Sequence, residues 1–230
     1  VYQKVTKEAN WLIEEFMLLA NRTVAEFVAT GCKGIGEAPA KGARKQAKTF
    51  VYRVHDEPNQ EKIEALRNFI GNFGYRMGST NTGKEISKEL NNLFAAAKDT
   101  PEYNAIELLS LRTMAKARYD TENLGHYGLA FKYYTHFTSP IRRYPDMLVH
   151  RLLAAYLDGA PSAKQETYDK LCKHASEREI VAAEAERASI KYKLVEFMQD
   201  KVGCTFGGNI SGLTEWGMYV EVEPTKIEGM

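Results

Sequence analysis

Cysteine is scarce. Cys32, Cys172 and Cys204 are the whole complement, an odd number, widely separated, with no CxxC and no Cys/His spacing. That excludes a disulfide framework and a structural zinc site; it suits a reducing, cytoplasmic setting with three packed or inert thiols. Long hydrophobic runs are missing too: none approaches the roughly 20 residues of a bilayer-spanning helix, so no membrane partner is expected. The start, Val1-Tyr2-Gln3-Lys4, has neither an initiator Met nor signal-peptide character. It reads as a cut inside a longer protein, and Ile227–Met230 reads as a stop in mid-strand. Charge of one sign is also lacking. A net charge of +1 offers no global basic field, but this excludes little, because many enzymes confine their basic residues to one channel. What is present is ample: 230 residues, 44% of them hydrophobic, enough for an ordinary domain of about 100–200 residues with an appendage.

The apolar pattern is mostly helical. Leu12, Phe16, Leu19, Val24 and Phe27 predict a helix over 7–30, with Gly31 as its stop. From Lys33 to Lys48, glycines and Pro39 alternate with Lys33, Lys41, Arg44, Lys45 and Lys48 without apolar period. This is expected to be a mobile basic loop, either touching phosphates of a bound partner or simply a solvated insertion. A short strand is expected over 49–55, then helices over 58–71, 83–97 and 103–117. Pro145 disfavours helix at Tyr144, so a helix should open near Pro145-Asp146 and run to Leu157. Residues 163–199 predict one long charged helix, or two abutting ones, with a solvated face. After Lys201 the character changes. Residues 202–206 and 218–222 alternate like strands among glycines, the opening of a small β domain. Two strands alone do not make a stable sheet, so that unit is truncated or leans on the helical part.

Chemistry concentrates in one stretch: His126-Tyr127-Gly128-Leu129-Ala130, then Tyr134-Thr135-His136-Phe137-Thr138-Ser139-Pro140-Ile141-Arg142-Arg143-Tyr144-Pro145-Asp146. It offers hydroxyls at Thr138 and Ser139, guanidiniums at Arg142 and Arg143, and rings at Phe137 and Tyr144. A proline-stiffened turn opening a helix suits an anion, since Arg presents a planar fork of donors and the helix start adds free N–H groups. Adjacent arginines can equally be exposed charges or partners of carboxylates.

The same block closely resembles the signature of the RNB-family 3′→5′ exoribonucleases, the ribonuclease R and ribonuclease II type. The likeness extends to residues 12–21, to Leu111-Arg112-Thr113-Met114-Ala115, to Asn123-Leu124-Gly125, to Asp146–Arg151, to Ala185-Glu186-Arg187 and to Glu196-Phe197-Met198. Residues 202–230 are similar to the start of the OB-fold RNA-binding domain that follows the catalytic domain in these enzymes. The resemblance implies a helix-rich, mixed α+β fold. Residues 1–200 would be the C-terminal part of an RNB catalytic domain and 201–230 an incomplete OB barrel. Ile141–Asp146 looks more like the ribonuclease R version.

The resemblance also implies the chemistry. Single-stranded RNA enters a channel and its last phosphodiester is hydrolysed to nucleoside 5′-monophosphates, with Mg²⁺ polarising the phosphate and activating water. Arg142 matches the arginine that stabilises charge on the scissile phosphate. Glu186 matches a carboxylate near the product end, although a solvated helix carboxylate is the plain alternative. Glu14 matches one that contacts the terminal nucleotide, with Glu15 beside it as the competing register. Thr138, Ser139, Arg143 and Tyr144 would line the substrate; Arg143 would hold a neighbouring phosphate or pair with a carboxylate. His126, His136 and His150 would be structural or phosphate neighbours. Phe206, Trp216 and Tyr219 would stack on bases or pack as core.

The family's Asp-x-Asp-Asp type run is missing. Asp56, Asp99, Asp120, Asp146, Asp158, Asp169 and Asp200 stand singly, so the Mg²⁺ ligands are expected upstream and these 230 residues alone are expected to be inactive. RNA is the expected partner, with no obligate protein partner and a monomeric state. An inactive RNA-binding scaffold of the same fold, or a single-strand binder, is the competing reading.

Overall fold

Helix α1, Glu8–Ala29, starts where Asn10 Oδ1 takes the Lys7 N–H (3.0 Å). It ends where Gly31 adopts a left-handed φ of 81°, which glycine alone enters without steric penalty. The structure, a computed structural model, describes residues 6–32, 47–80, 82–223, 225 and 227–230. The basic loop expected over 33–48 therefore lies almost wholly outside the described residues. The chain is a helix-rich α+β fold and divides into two compact units, residues 1–57 with 115–179 and residues 58–114 with 180–230.

In the first unit, β1 (Tyr52–Val54) pairs antiparallel with β2 (Arg118–Asp120), Arg53 lying opposite Tyr119. On its other side β1 meets the signature stretch: the Arg53 N–H donates to Tyr134 O (3.0 Å) and the Thr135 hydroxyl to Val51 O (2.6 Å). Helix α5 (Tyr144–Leu157) and the first part of α6 (Gln165–Met198) complete this unit. Its core joins Ala25 and Val28 of α1, Phe50, Val51 and Val54 around β1, Val149 and Leu152 of α5, and Cys172 of α6. The expected strand over 49–55 is thus shorter, β2 was not foreseen, and α5 begins at Tyr144 with Pro145 in its first turn.

In the second unit, α2 (Gln60–Gly71), α3 (Gly83–Ala97) and α4 (Tyr103–Thr113) enclose Ile63, Leu66, Ile70, Ile86, Leu90, Leu93 and Ile106. Asn59 caps α2 by accepting the Glu61 N–H (2.7 Å), the arrangement that makes Asn a preferred start residue. Helix α4 was expected to reach Ala117 but stops at Thr113, because Met114 is extended at φ −69°, ψ 142°. The freed carbonyl of Ala115 is taken by His55 Nε2 (2.8 Å) and Arg118 enters β2. The same unit contains a meander, β3 (Gly208–Thr214), β4 (Gly217–Val222) and β5 (Ile227–Gly229), in the order β3-β4-β5 with a bulge between Ile210 and Gly212. Residues 202–206 are not the strand expected there. A turn with the Cys204 N–H on Lys201 O (3.1 Å) and Gly203 at φ 89° delays pairing until Gly208.

The α1 pattern is only half used. Val24 and Phe27 pack on the core, whereas Trp11, Leu12, Ile13, Phe16 and Leu19 stay exposed among the described residues. Helix α6 is one helix, the first of the two alternatives left open for that stretch, and Cys172 is its only buried residue.

Candidate active site

The signature stretch is built around one buried carboxylate. Asp146 lies in the first turn of α5 and is fully buried. Its Oδ2 accepts from the Ser139 N–H (2.8 Å) and from Arg143 Nη2 (2.8 Å). Ser139 O in turn accepts the N–H groups of Arg142 (3.3 Å) and Arg143 (3.0 Å). Residues 139–143 therefore form a closed turn tied at both ends. The two arginines part company here. Arg143 is largely buried and holds Asp146, while Arg142 is exposed and its guanidinium makes no hydrogen bond or ion pair among the described residues. Ile141 beside it is fully exposed and Tyr144 half-exposed. Three polar atoms near the turn, Thr138 Oγ1, Arg143 Nε and Asp146 Oδ1, are buried without a partner among the described residues.

Behind the turn lies a layer of rings. Asn21 of α1, itself buried, donates to Tyr134 OH (3.2 Å) and accepts the Phe137 N–H (3.0 Å), so one amide locks α1 to the signature stretch. Phe137 stacks on His150 at 4.1 Å, and His150 Nε2 donates to Phe137 O (2.9 Å). Arg53, mostly buried, pairs with Glu179 of α6 (2.6 Å) and lies 4.7 Å from the ring centre of Tyr119. The Tyr119 hydroxyl, whose pKa burial pushes up to about 12, shares a hydrogen bond with His136 Nδ1 (2.9 Å). His55 Nδ1 accepts the Gly128 N–H (3.0 Å), which fixes the proton on Nε2. A Cβ on Gly128 would stand 2.8 Å from that nitrogen, so glycine is what permits the approach.

Two histidines of this layer, His126 and His136, are held neutral. Burial is the first cause in both: His126 is lowered to about 4, helped by His55 and Arg53, and His136 to about 3, helped by Arg143, Arg53, His126 and Arg142. Positive charge from Arg53, Arg142 and Arg143 thus converges on one place. Both folded pKa values lie below the ordinary 6.5, so the unfolded chain binds more protons as pH falls, and stability is lost below about 6.5 towards 4 and 3. Unfolding near pH 5, above most carboxylate titrations, should take up about two protons through these side chains. Denaturation midpoints at pH 7.5, 6 and 5 check this: a flat profile would contradict the neutral state, and His136→Gln should lower the slope.

Glu14 and Glu15 are both exposed on α1. Glu186 is exposed on the part of α6 that belongs to the second unit. Trp216 is exposed in the turn between β3 and β4, Tyr219 is half-buried on β4 opposite Gly212, and Phe206 is exposed before β3. Asn21, Arg53, Tyr119, Asp146 and Glu179 were given no role from the sequence. Asn21 left a trace as a polar residue between the apolar positions of α1, and Asp146 as the end of the signature block; Arg53 and Glu179 are 126 positions apart and had none.

Among the described residues no group of three or more His, Cys, Asp or Glu side chains could hold a metal ion, and Asp146 is engaged by Arg143 and Ser139. No helix among the described residues is long and apolar enough to cross a membrane.

Comparison with known proteins places this geometry. The RNB domain matches residues 1–159. The chain is 39% identical to Ribonuclease R 1 of Lactococcus lactis over 228 residues, which is 96% of this chain and 26% of that protein. A solved Mycoplasma genitalium RNase R in complex with ribose methylated single-stranded RNA superposes with a TM-score of 0.81 at 29% identity, over 99% of this chain and 34% of that one. Yeast Ssd1, a pseudonuclease, superposes with a TM-score of 0.73 at 28% identity, over 95% of this chain and 26% of that one. The chain spans 26–34% of the length of these proteins.

Proposed function

The chain belongs to the RNB-domain family, and from that membership we propose that the protein carrying it is a processive, Mg²⁺-dependent 3′→5′ exoribonuclease acting on single-stranded RNA. The observation that supports this most is the unequal use of the two arginines. Arg143 is spent on Asp146, which leaves the exposed guanidinium of Arg142 on a braced turn, available to a phosphate. Phosphoryl transfer gains most from positive charge placed in advance, because charge builds on the equatorial oxygens and little covalent chemistry is asked of the protein. Arg142 has the right chemistry for that work: it stays charged at all working pH and offers a fork matched to two phosphate oxygens.

The neutral rings behind the turn do not compete for the phosphate as acids or bases. Asn21 holds Tyr134 and Phe137, the Tyr119 hydroxyl meets His136, and Arg53 is paired with Glu179. In this proposal Thr138, Ser139 and Tyr144 border the reacting end of the RNA, and Arg143 braces the turn. Glu14 contacts the terminal nucleotide and Glu186 lies near the product. The β3–β5 meander is the opening of an OB-fold, where Trp216, Tyr219 and Phe206 stack on bases. A divalent cation would supply Lewis acidity at the phosphate when bound, with ligands from outside the described residues. We place the protein in the cytoplasm and, within the family, with ribonuclease R, the name of the Lactococcus relative.

A second reading deserves a place because a pseudonuclease superposes well: an RNA-binding scaffold with the same fold and no turnover. One experiment separates the two. The full-length protein is incubated with Mg²⁺ and 5′-labelled single-stranded RNA, and the products are resolved by length and by chromatography. Release of nucleoside 5′-monophosphates without accumulation of intermediate lengths is expected. RNA that is bound but remains intact would favour the scaffold. Residues 1–230 alone should release nothing, for want of a carboxylate cluster among the described residues.

A further inference from the structure

We propose that Asp146 is a positioning residue for Arg142: its buried carboxylate fixes the 139–143 turn and occupies Arg143, so that the neighbouring guanidinium is left free and correctly aimed. This rests on the reading of Arg142 given above. The geometry is specific. A single oxygen, Asp146 Oδ2, takes the Ser139 N–H at one end of the turn and Arg143 Nη2 at the other, both at 2.8 Å. Ser139 O closes the turn on the Arg142 and Arg143 N–H groups. Arg142 therefore sits between two residues that are each tied to the same carboxylate, and its main chain has little freedom left.

Burial explains why the tie is strong. Asp146 is 0% exposed, and an ionised carboxylate out of water is costly unless it is paired and hydrogen-bonded. The start of α5 adds free N–H groups and the positive end of the helix dipole, which favour a negative charge in the first turn. Arg143 is held because releasing it would leave that charge uncompensated. A plain folding role accounts for less. Asp146 Oδ1 has no partner among the described residues, and a half-satisfied buried carboxylate is a poor choice for stability when an apolar residue of similar size could fill the space.

The test is a mutant cycle in the full-length protein, with Mg²⁺ and single-stranded RNA. Asp146→Asn keeps the size and one acceptor but removes the charge that holds Arg143. The expected result is a fall in kcat of about 10–100-fold, as a small misplacement of a charge-stabilising group produces, with KM changed by no more than about threefold. The double variant R142A/D146N should be no slower than R142A alone, because the second change acts only through the first. Independent, multiplying losses would overturn the proposal, and so would a D146N enzyme with native kcat. If R142A itself leaves kcat unchanged, the reading of Arg142 fails first and the positioning role falls with it. Should D146N not fold, as judged by its melting curve, Arg143→Gln removes the more exposed partner instead. The same non-additivity with R142A is expected there, and Arg143→Lys, which restores charge beside Asp146, should recover part of the lost kcat.

Discussion

Replacing Arg142 by Ala in the full-length protein should lower the single-turnover rate on single-stranded RNA by about 10²–10³, the loss typical when one preplaced charge-stabilising group is removed. The dissociation constant for the same RNA should move by only a few fold, because the side chain is one cation among many along a bound strand. The asymmetry follows from where the guanidinium is. It is exposed and unpaired among the described residues, so its removal leaves no buried group orphaned and the fold should be unaffected. The melting temperature of R142A should stay within the scatter of surface substitutions, about 0.5 kcal/mol in stability. Rapid-quench measurement of 3′-end cleavage beside equilibrium binding decides the matter. Equal losses in affinity and rate would make Arg142 a binding contact and support the single-strand binder.

The largest stability effect should come from a residue that touches no substrate in this scheme. Asn21→Ala removes the acceptor of the Phe137 N–H and the donor to Tyr134 OH. Leaving a buried group unpaired costs about 1–3 kcal/mol, and the Tyr134 hydroxyl keeps its own donor, so a total loss of roughly 2–4 kcal/mol is expected. For a chain of this size that lowers the melting temperature by about 5–15 °C. Glu14→Ala, on the exposed part of the same helix, should change stability by no more than about 0.5 kcal/mol. Thermal or urea unfolding of the two variants beside the parent checks the contrast. If Asn21→Ala melts like Glu14→Ala, the buried amide is not what fastens α1 to the signature stretch.

Much of the fold could be read along the chain. The helices at 8–29, 60–71, 83–97, 144–157 and 165–198 follow from apolar spacing, from Gly31 and Pro145, and from the charge mix of the last one. These are local signals, a few residues wide. The misses are non-local. Strand β2 at Arg118–Asp120 owes its existence to pairing with β1, more than sixty positions away in sequence, and α4 stops where His55 claims the Ala115 carbonyl. Leu12 and Phe16 repeat as regularly as Val24 and Phe27, yet only the latter pair is packed. Periodicity states that a face is apolar; it does not state what covers it.

For the site, the sequence by itself determined the family and the turn: a block from His126 to Asp146 specific enough to name, with Arg142 and Arg143 side by side. The resemblance already set Arg142 at the scissile phosphate and left Arg143 either to a neighbouring phosphate or to a carboxylate, a choice that residue order could not make. The tertiary structure made that choice for Arg143, by burying Asp146 where Arg143 pairs with it while Arg142 stays exposed. It also decided that His126 and His136 are neutral, because desolvation and the convergence of Arg53, Arg142 and Arg143 exist only once distant segments meet. Residue order sets the chemistry available. Burial and proximity, which arise on folding, choose which groups are left free to use it.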